Sequence, residues 1–278
     1  MILLPLRQPQ IGPAAALRFD QSSQYAPCIV VIAMTISDLQ RNIPPSAPGS
    51  AAEAGTPLGR FLAGAQWADG LSADELRQLE REIVVRRIAA GGFVCRKGEP
   101  VEHWIGVFDG VVKMSNLSAS GKLTTLTGVP TGGWFGEGSL LKTEPRRYDI
   151  VALRDSRIAY MPRATFFRLL DTNLRFNRFL LTQLNERLGQ FILLVESERL
   201  HEPDARVARS LGALFNPVLY PGIGRQLQLS QEEIGLLAGV SRQRVNQALQ
   251  VLEKAGLLQV DYGGVTVMDL AGLQRFGA

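Results

Sequence analysis

The chain is poor in cysteine and histidine, with two of each in 278 residues. Cys28 and Cys95 cannot supply the thiolates of an iron-sulfur cluster or a disulfide framework, so neither is expected, and a reducing cytoplasm is the natural compartment. His103 and His201 stand apart without a ligand-spaced partner, which argues against a metal centre and against haem. No Ser-His-Asp or Cys-His set is arranged for nucleophilic attack, so no catalytic residues are assigned. Long hydrophobic runs are also missing: "CIVVIAM" is far too short to span a bilayer, and no membrane partner is expected. A formal charge of +4 permits a nucleic-acid partner but falls short of a polybasic coat. What remains is enough chain for two packed domains.

The texture changes along the sequence. Residues 1–57 are rich in Pro, Ala, Gly and Ser without sustained periodicity and read as a disordered extension, with Met34 an alternative start. Leu71, Leu76 and Leu79 then mark helical spacing, with a capping box at Ser72 and Glu75. From Ile83 to Met161, short β-branched runs alternate with turn signals, including an expected Asp109-Gly110 hairpin; this indicates an antiparallel roll rather than a βαβ array. A long helix follows in which Leu181, Leu184, Leu188, Phe191 and Val195 step by three and four, a coiled-coil seam that calls for a second copy. Beyond Pro203 and the breaker "NPVLYPGIG", a second capping box (Ser230, Glu233), a turn at Gly239 and a helix from Ser241 form a helix-turn-helix. Two short strands about Gly263-Gly264 add a wing.

On the second helix of that unit, Val245, Ala248, Leu249 and Leu252 share one face. The opposite side is left to Gln243, Asn246, Gln247 and Gln250, with Ser241, Arg242 and Arg244 at the start. Arg reads guanine and Gln or Asn reads adenine, so this face suits a major groove of double-stranded DNA. In "GGWFGEGSLLKTEPRR", the loop around Gly136 and Gly138 lies between Glu137 and Arg147. The spacing fits either a tight turn with a surface acid and base, or a loop that aims N-H groups at a phosphate while Arg147 neutralises it and Glu137 accepts a hydroxyl. Cys95 is flanked by Arg96 and Lys97, cations that favour a thiolate, though a lone strand cysteine more often packs.

The order of roll, long helix and winged helix-turn-helix resembles the cyclic-AMP receptor and fumarate-nitrate regulator superfamily of bacterial transcription factors, from about Leu58 to the C-terminus. The phosphate cassette of its nucleotide-binding members has its counterpart in Phe135-Gly136-Glu137 and Arg147-Tyr148-Asp149. The resemblance implies Glu137 on a ribose, Arg147 on a cyclic phosphate, and Phe191 and Ile192 near a base. This chain departs from the family pattern by placing Tyr148 and Asp149 where a hydroxyl and a small residue are usual, and Gln243 and Gln247 where the recognition helix usually has Glu and Arg.

The expected fold is therefore α+β: a cyclic-nucleotide-binding-like sensor (58–171), a dimerisation helix (172–201) and a winged helix-turn-helix (202–278). The expected function is a cytoplasmic homodimeric regulator, not an enzyme, binding palindromic DNA under control of a cyclic mono- or dinucleotide, with RNA polymerase a further partner if it activates. The alternatives are a constitutive regulator with a ligand-free roll and, from another class, a nucleotide-regulated enzyme subunit.

Overall fold

The computed structural model describes residues 55–117, 123–198, 202–221 and 223–277. Cys28, Met34 and His201, named above, lie outside them. Thr56 caps Pro57–Ala63 (α1) by accepting from the Gly59 N-H, and a single turn, Gln66–Ala68, follows. Ala73–Glu82 (α2) starts at the expected capping box, in which Ser72 Oγ accepts from the Glu75 N-H while the Ser72 N-H donates back to Glu75.

The strands of the roll are Val84–Ile88 (β1), Phe93–Cys95 (β2), His103–Asp109 (β3), Val111–Leu117 (β4), Leu123–Pro130 (β5), Trp134–Phe135 (β6), Asp149–Ala152 (β7) and Ser156–Pro162 (β8). They form two antiparallel sheets, in the orders β1-β8-β3-β6 and β2-β7-β4-β5. Val107, Val112, Met114, Val129, Phe135, Ile150 and Ile158 come from both sheets and share one core between them. The expected Asp109-Gly110 hairpin is corrected by this pairing. β3 bonds to β6 and β8 while β4 bonds to β5 and β7, so Gly110, at φ 108°, turns a corner from one sheet to the other.

A short helix, Glu137–Lys142 (α3), interrupts the roll after β6, and Arg163–Thr172 (α4) closes it. Asn173 then caps the long helix Leu174–Glu198 (α5), its Oδ1 accepting from the N-H groups of Arg175 and Phe176. Where these helices meet the first sheet, the core is aromatic. Trp104 and Trp134 lie 4.6 Å apart between ring centroids, and Trp67, Phe166 and Phe176 meet them edge-on.

The C-terminal region comprises Pro203–Ala213 (α6), Gln226–Leu227 (β9), Gln231–Ala238 (α7), Arg242–Lys254 (α8), Leu258–Asp261 (β10), Gly264–Val267 (β11) and Leu270–Arg275 (α9). The wing hairpin turns at Tyr262 and Gly263, and β9 adds a third strand that the sequence reading did not foresee. α7 and α8 are joined through Gly239 in the left-handed conformation, and Val207, Leu211, Ile234, Val245, Leu249 and Val265 form their common core. Among the described residues no helix is long and apolar enough to cross a membrane.

The aromatic core sets the mutual position of the roll and the long helix. Phe166→Ala, at a fully buried site within it, should lower the free energy of unfolding by about 3–5 kcal/mol in a urea titration.

Candidate effector and nucleic-acid sites

Glu137 opens α3 directly after Gly136, which takes φ 94°; a side chain there would also collide with the guanidinium of Arg146. The turn aims Glu137 inward, where it is buried. One carboxylate oxygen accepts from Arg187 Nε at 2.7 Å and the other from the Trp104 indole at 3.4 Å. Arg187 comes from α5, is itself buried, and also donates to the Trp134 carbonyl, which Gln183 Nε2 reaches at 2.7 Å. Burial disfavours the Arg187 charge, but the Glu137 carboxylate together with Tyr220 and Tyr148 outweighs it, and the Arg187 pKa is raised. Each Glu137 oxygen, expected above to face a ribose, thus already accepts one hydrogen bond from within the protein.

Arg147 is placed differently from the expectation as well. Side chains alternate along the extended segment into β7, so Arg146, Ile150 and Ala152 are buried, with Tyr148 facing the same core. Arg147 belongs to the opposite face. Its side chain is 64% exposed and pairs with Glu144 at 2.7 Å. Asp149 also faces outward, accepting from the Lys97 N-H at 2.8 Å, so it is not a carboxylate beside an inner phosphate. Arg146 donates to the His103 carbonyl at 2.6 Å, while its buried Nη1 has no hydrogen-bond partner. Burial, and then the charge of Glu137, push the Tyr148 phenol up to about 12. Gly138 stands in α3 beside Glu137. Burial likewise pushes the Cys95 thiol up to about 11 against the charge of Arg146, which makes it a neutral packing residue.

On α5, Leu181, Leu188 and Val195 are spaced by seven and exposed, at 69%, 58% and 56%. Leu184 is half-buried, and Phe191 and Ile192 lie exposed on the same helix. The structure brings neither Phe191 nor Ile192 into the hydrogen-bonded group around Glu137. The recognition residues gather on the outer side of α8. Ser241 is its N-cap, accepting from the Arg244 N-H; Arg244 donates to Gln247 Oε1 at 2.6 Å, and Gln231 of α7 donates to Asn246 Oδ1 at 3.3 Å. Arg242, Gln243 and Gln250 are exposed.

Two sets of contacts bind this unit to the rest. Arg154, between β7 and β8, makes a bidentate ion pair with Glu233 of α7 at 2.8 and 2.9 Å and also reaches the Gln228 carbonyl. Beside it Leu237 lies against Gly128 of β5, where an added Cβ would come within 2.8 Å of the leucine methyl. Along α5, Gln190 donates to the Ala213 carbonyl, and Glu186 accepts from Asn216.

A β-roll joined by a long helix to an exposed recognition helix and wing defines a DNA-binding regulator with a sensor-type domain. Comparison with known proteins agrees. Residues 85–173 match the cyclic nucleotide-binding domain and residues 205–276 the Crp-like helix-turn-helix domain. The cyclic AMP receptor protein of Thermus thermophilus is 29% identical over 61% of this chain and 76% of its own length. The CRP-like cAMP-activated global transcriptional regulator of Mycobacterium tuberculosis is 24% identical over 78% of this chain and 99% of its own. Among solved structures, FixK2 from Bradyrhizobium japonicum shares the fold, with a TM-score of 0.58 at 18% identity over 70% of this chain and 98% of its own. The chain belongs to the Crp/Fnr superfamily, and it is a transcription regulator rather than an enzyme.

The buried pair carries a stability consequence. Arg187→Met strands the Glu137 carboxylate without its cation and should cost about 3–5 kcal/mol, whereas the double variant Glu137→Gln with Arg187→Met should lose less than the two single losses added together. Chemical denaturation of the four proteins measures it.

Proposed function

We propose that the protein acts as a homodimer on palindromic operators in double-stranded DNA, in the cytoplasm, and that an anionic effector in the roll tunes this binding. The observation that carries the dimer is the row Leu174, Leu181, Leu188 and Val195, one apolar residue every seven, exposed along the outer side of α5. Such a stripe is costly in water, and Leu184 and Phe191 complete the alternate positions of a two-helix seam. Two-fold symmetry then presents two copies of α8 to successive major grooves, and half-sites about one helical turn, roughly 34–36 Å, apart follow. Arg242 is suited to guanine. Gln247, whose Oε1 is held by Arg244, offers its N-H₂ outward. RNA polymerase is a further partner if the protein activates.

For the effector, the buried Arg146 replaces Arg147 as the cation we assign to a phosphate, because its Nη1 lies inside the roll without an acceptor. A cyclic mono- or dinucleotide remains the proposed class, and its effect is a shift between two crossings of the α5 pair. A second reading, a constitutive regulator whose roll needs no ligand, is favoured by the engagement of both Glu137 oxygens and by Tyr148 on the inner face.

Two measurements test these readings. Leu188→Glu should convert the protein to monomers in sedimentation and abolish specific binding in a gel shift; a dimeric Leu188→Glu protein would remove the seam. Calorimetry with cyclic mono- and dinucleotides should show binding that Arg146→Met weakens by about 1.5–3 kcal/mol and Arg147→Ala leaves nearly unchanged. Absence of binding by wild type, with DNA affinity intact, would establish the constitutive reading.

A further inference from the structure

Three buried side-chain atoms without a hydrogen-bond partner belong to residues that line one small cavity: Trp67 Nε1, Trp134 Nε1 and Gln183 Oε1. The three side chains come from three parts of the fold, namely the turn after α1, β6 and α5, and all are buried. Val218, Leu219 and Pro221, from the segment that leads toward the DNA-binding unit, also line it. The cavity holds about 10 Å³, room for one water-sized molecule and nothing larger.

The polarity of the three groups defines what fits. Two indole N-H groups require an acceptor, and one amide oxygen requires a donor. A cation meets two repelling donors, a simple anion meets the amide oxygen, and an apolar molecule leaves all three groups unsatisfied. Gln183 has no freedom to turn its amide round, because its Nε2 is committed to the Trp134 carbonyl at 2.7 Å. Trp67 and Trp134 meet edge-on with centroids 5.1 Å apart, a contact that holds both rings in place.

We propose that this cavity is a specific site for one structural water, which accepts from the indoles of Trp67 and Trp134 and donates to Gln183 Oε1. The water completes a joint that protein groups already hold at its edges. Gln66 donates to the Pro217 carbonyl at 2.9 Å, and Asn216 reaches Glu186 of α5 at 2.7 Å. The water therefore ties the N-terminal turn, the roll and the long helix to one another beside the segment entering the DNA-binding unit, a role separate from effector or DNA recognition.

The test uses the full-length protein. A high-resolution crystal structure should show one ordered water within hydrogen-bond distance of all three atoms, and the two indole protons should show magnetisation transfer from a long-lived water by NMR. Trp67→Phe removes one donor without touching the Gln183 to Trp134 bond, and Gln183→Met removes the acceptor. Because the two side chains communicate through the water, their effects on the unfolding equilibrium should be non-additive by about threefold or more. A dry cavity, an indole donating directly to a protein acceptor, or additive variants would each overturn the assignment.

Discussion

The ion pair between Glu137 and Arg187 is the constraint on which the arrangement of the molecule depends. A carboxylate and a guanidinium taken out of water are tolerated only when each is paired and its remaining hydrogen-bonding capacity is met. Here Trp104 takes the second carboxylate oxygen and the Trp134 carbonyl takes another guanidinium N-H. The pair therefore fixes more than a distance. It sets the rotation of α5 about its own axis, because Phe176, Leu180, Gln183 and Arg187 are presented to the roll together. Their spacing of four, three and four is the same stepping that generates the exposed row from Leu181 to Val195 on the other side. One helix thus carries two rows. The inner one passes from apolar to polar as it leaves the aromatic core, and the outer one stays apolar throughout.

With α5 fixed in rotation, the DNA-binding unit is held by two routes. One runs along the helix, through Gln190 and Glu186 to Ala213 and Asn216. The other is direct, from the roll through Arg154 to Glu233. Glu233 closes the capping box of α7 as well, so the residue that starts the first helix of the motif also anchors it to the sensor. Under the proposed effector control, a change in the roll that shifts either Arg154 or Arg187 would act on the orientation of α8 without touching a residue proposed to face DNA. That is the physical content of coupling here: a few charged contacts, each with one geometry, joining rigid elements.

Features set by short-range chemistry were legible in the sequence. Both capping boxes, the turn at Gly239, the wing and the outer row of α5 rest on local residue types or on a helical period, and no tertiary contact overrides them. The Asp109-Gly110 hairpin was misread because a tight turn specifies a reversal of the chain but not which strands pair. The spacing from Glu137 and the family cassette both point to Arg147. The strand's own alternation carried the better signal: Ile150 and Ala152 are the apolar partners in phase with Arg146, and a shift of one residue exchanges the faces. Arg187 was passed over because an arginine in a long helix reads as a solvated residue. Its place in the inner row, seven residues after Leu180, was the available clue.

Arg146 and Tyr148 pull the roll in opposite directions, and their balance decides how far the sensor retains a sensing role. A tyrosine on the inner face, with burial holding its phenol neutral, occupies space in the roll by apolar packing and needs no ligand to do so. A buried arginine with an unpartnered N-H is the reverse case. It carries a desolvation cost that an apolar residue at the same position avoids, and the His103 carbonyl satisfies only part of it. Glu137 cannot compensate Arg146, since its charge is committed to Arg187. The roll therefore retains a buried positive charge, for which the proposed reading supplies an anion from outside the chain, and Gly136, having no side chain, leaves the space that the Arg146 guanidinium occupies. On the proposed reading Arg146 offers an effector an unpartnered N-H, whereas Glu137 is already engaged by Arg187 and Trp104, so charge weighs more than a sugar in its recognition.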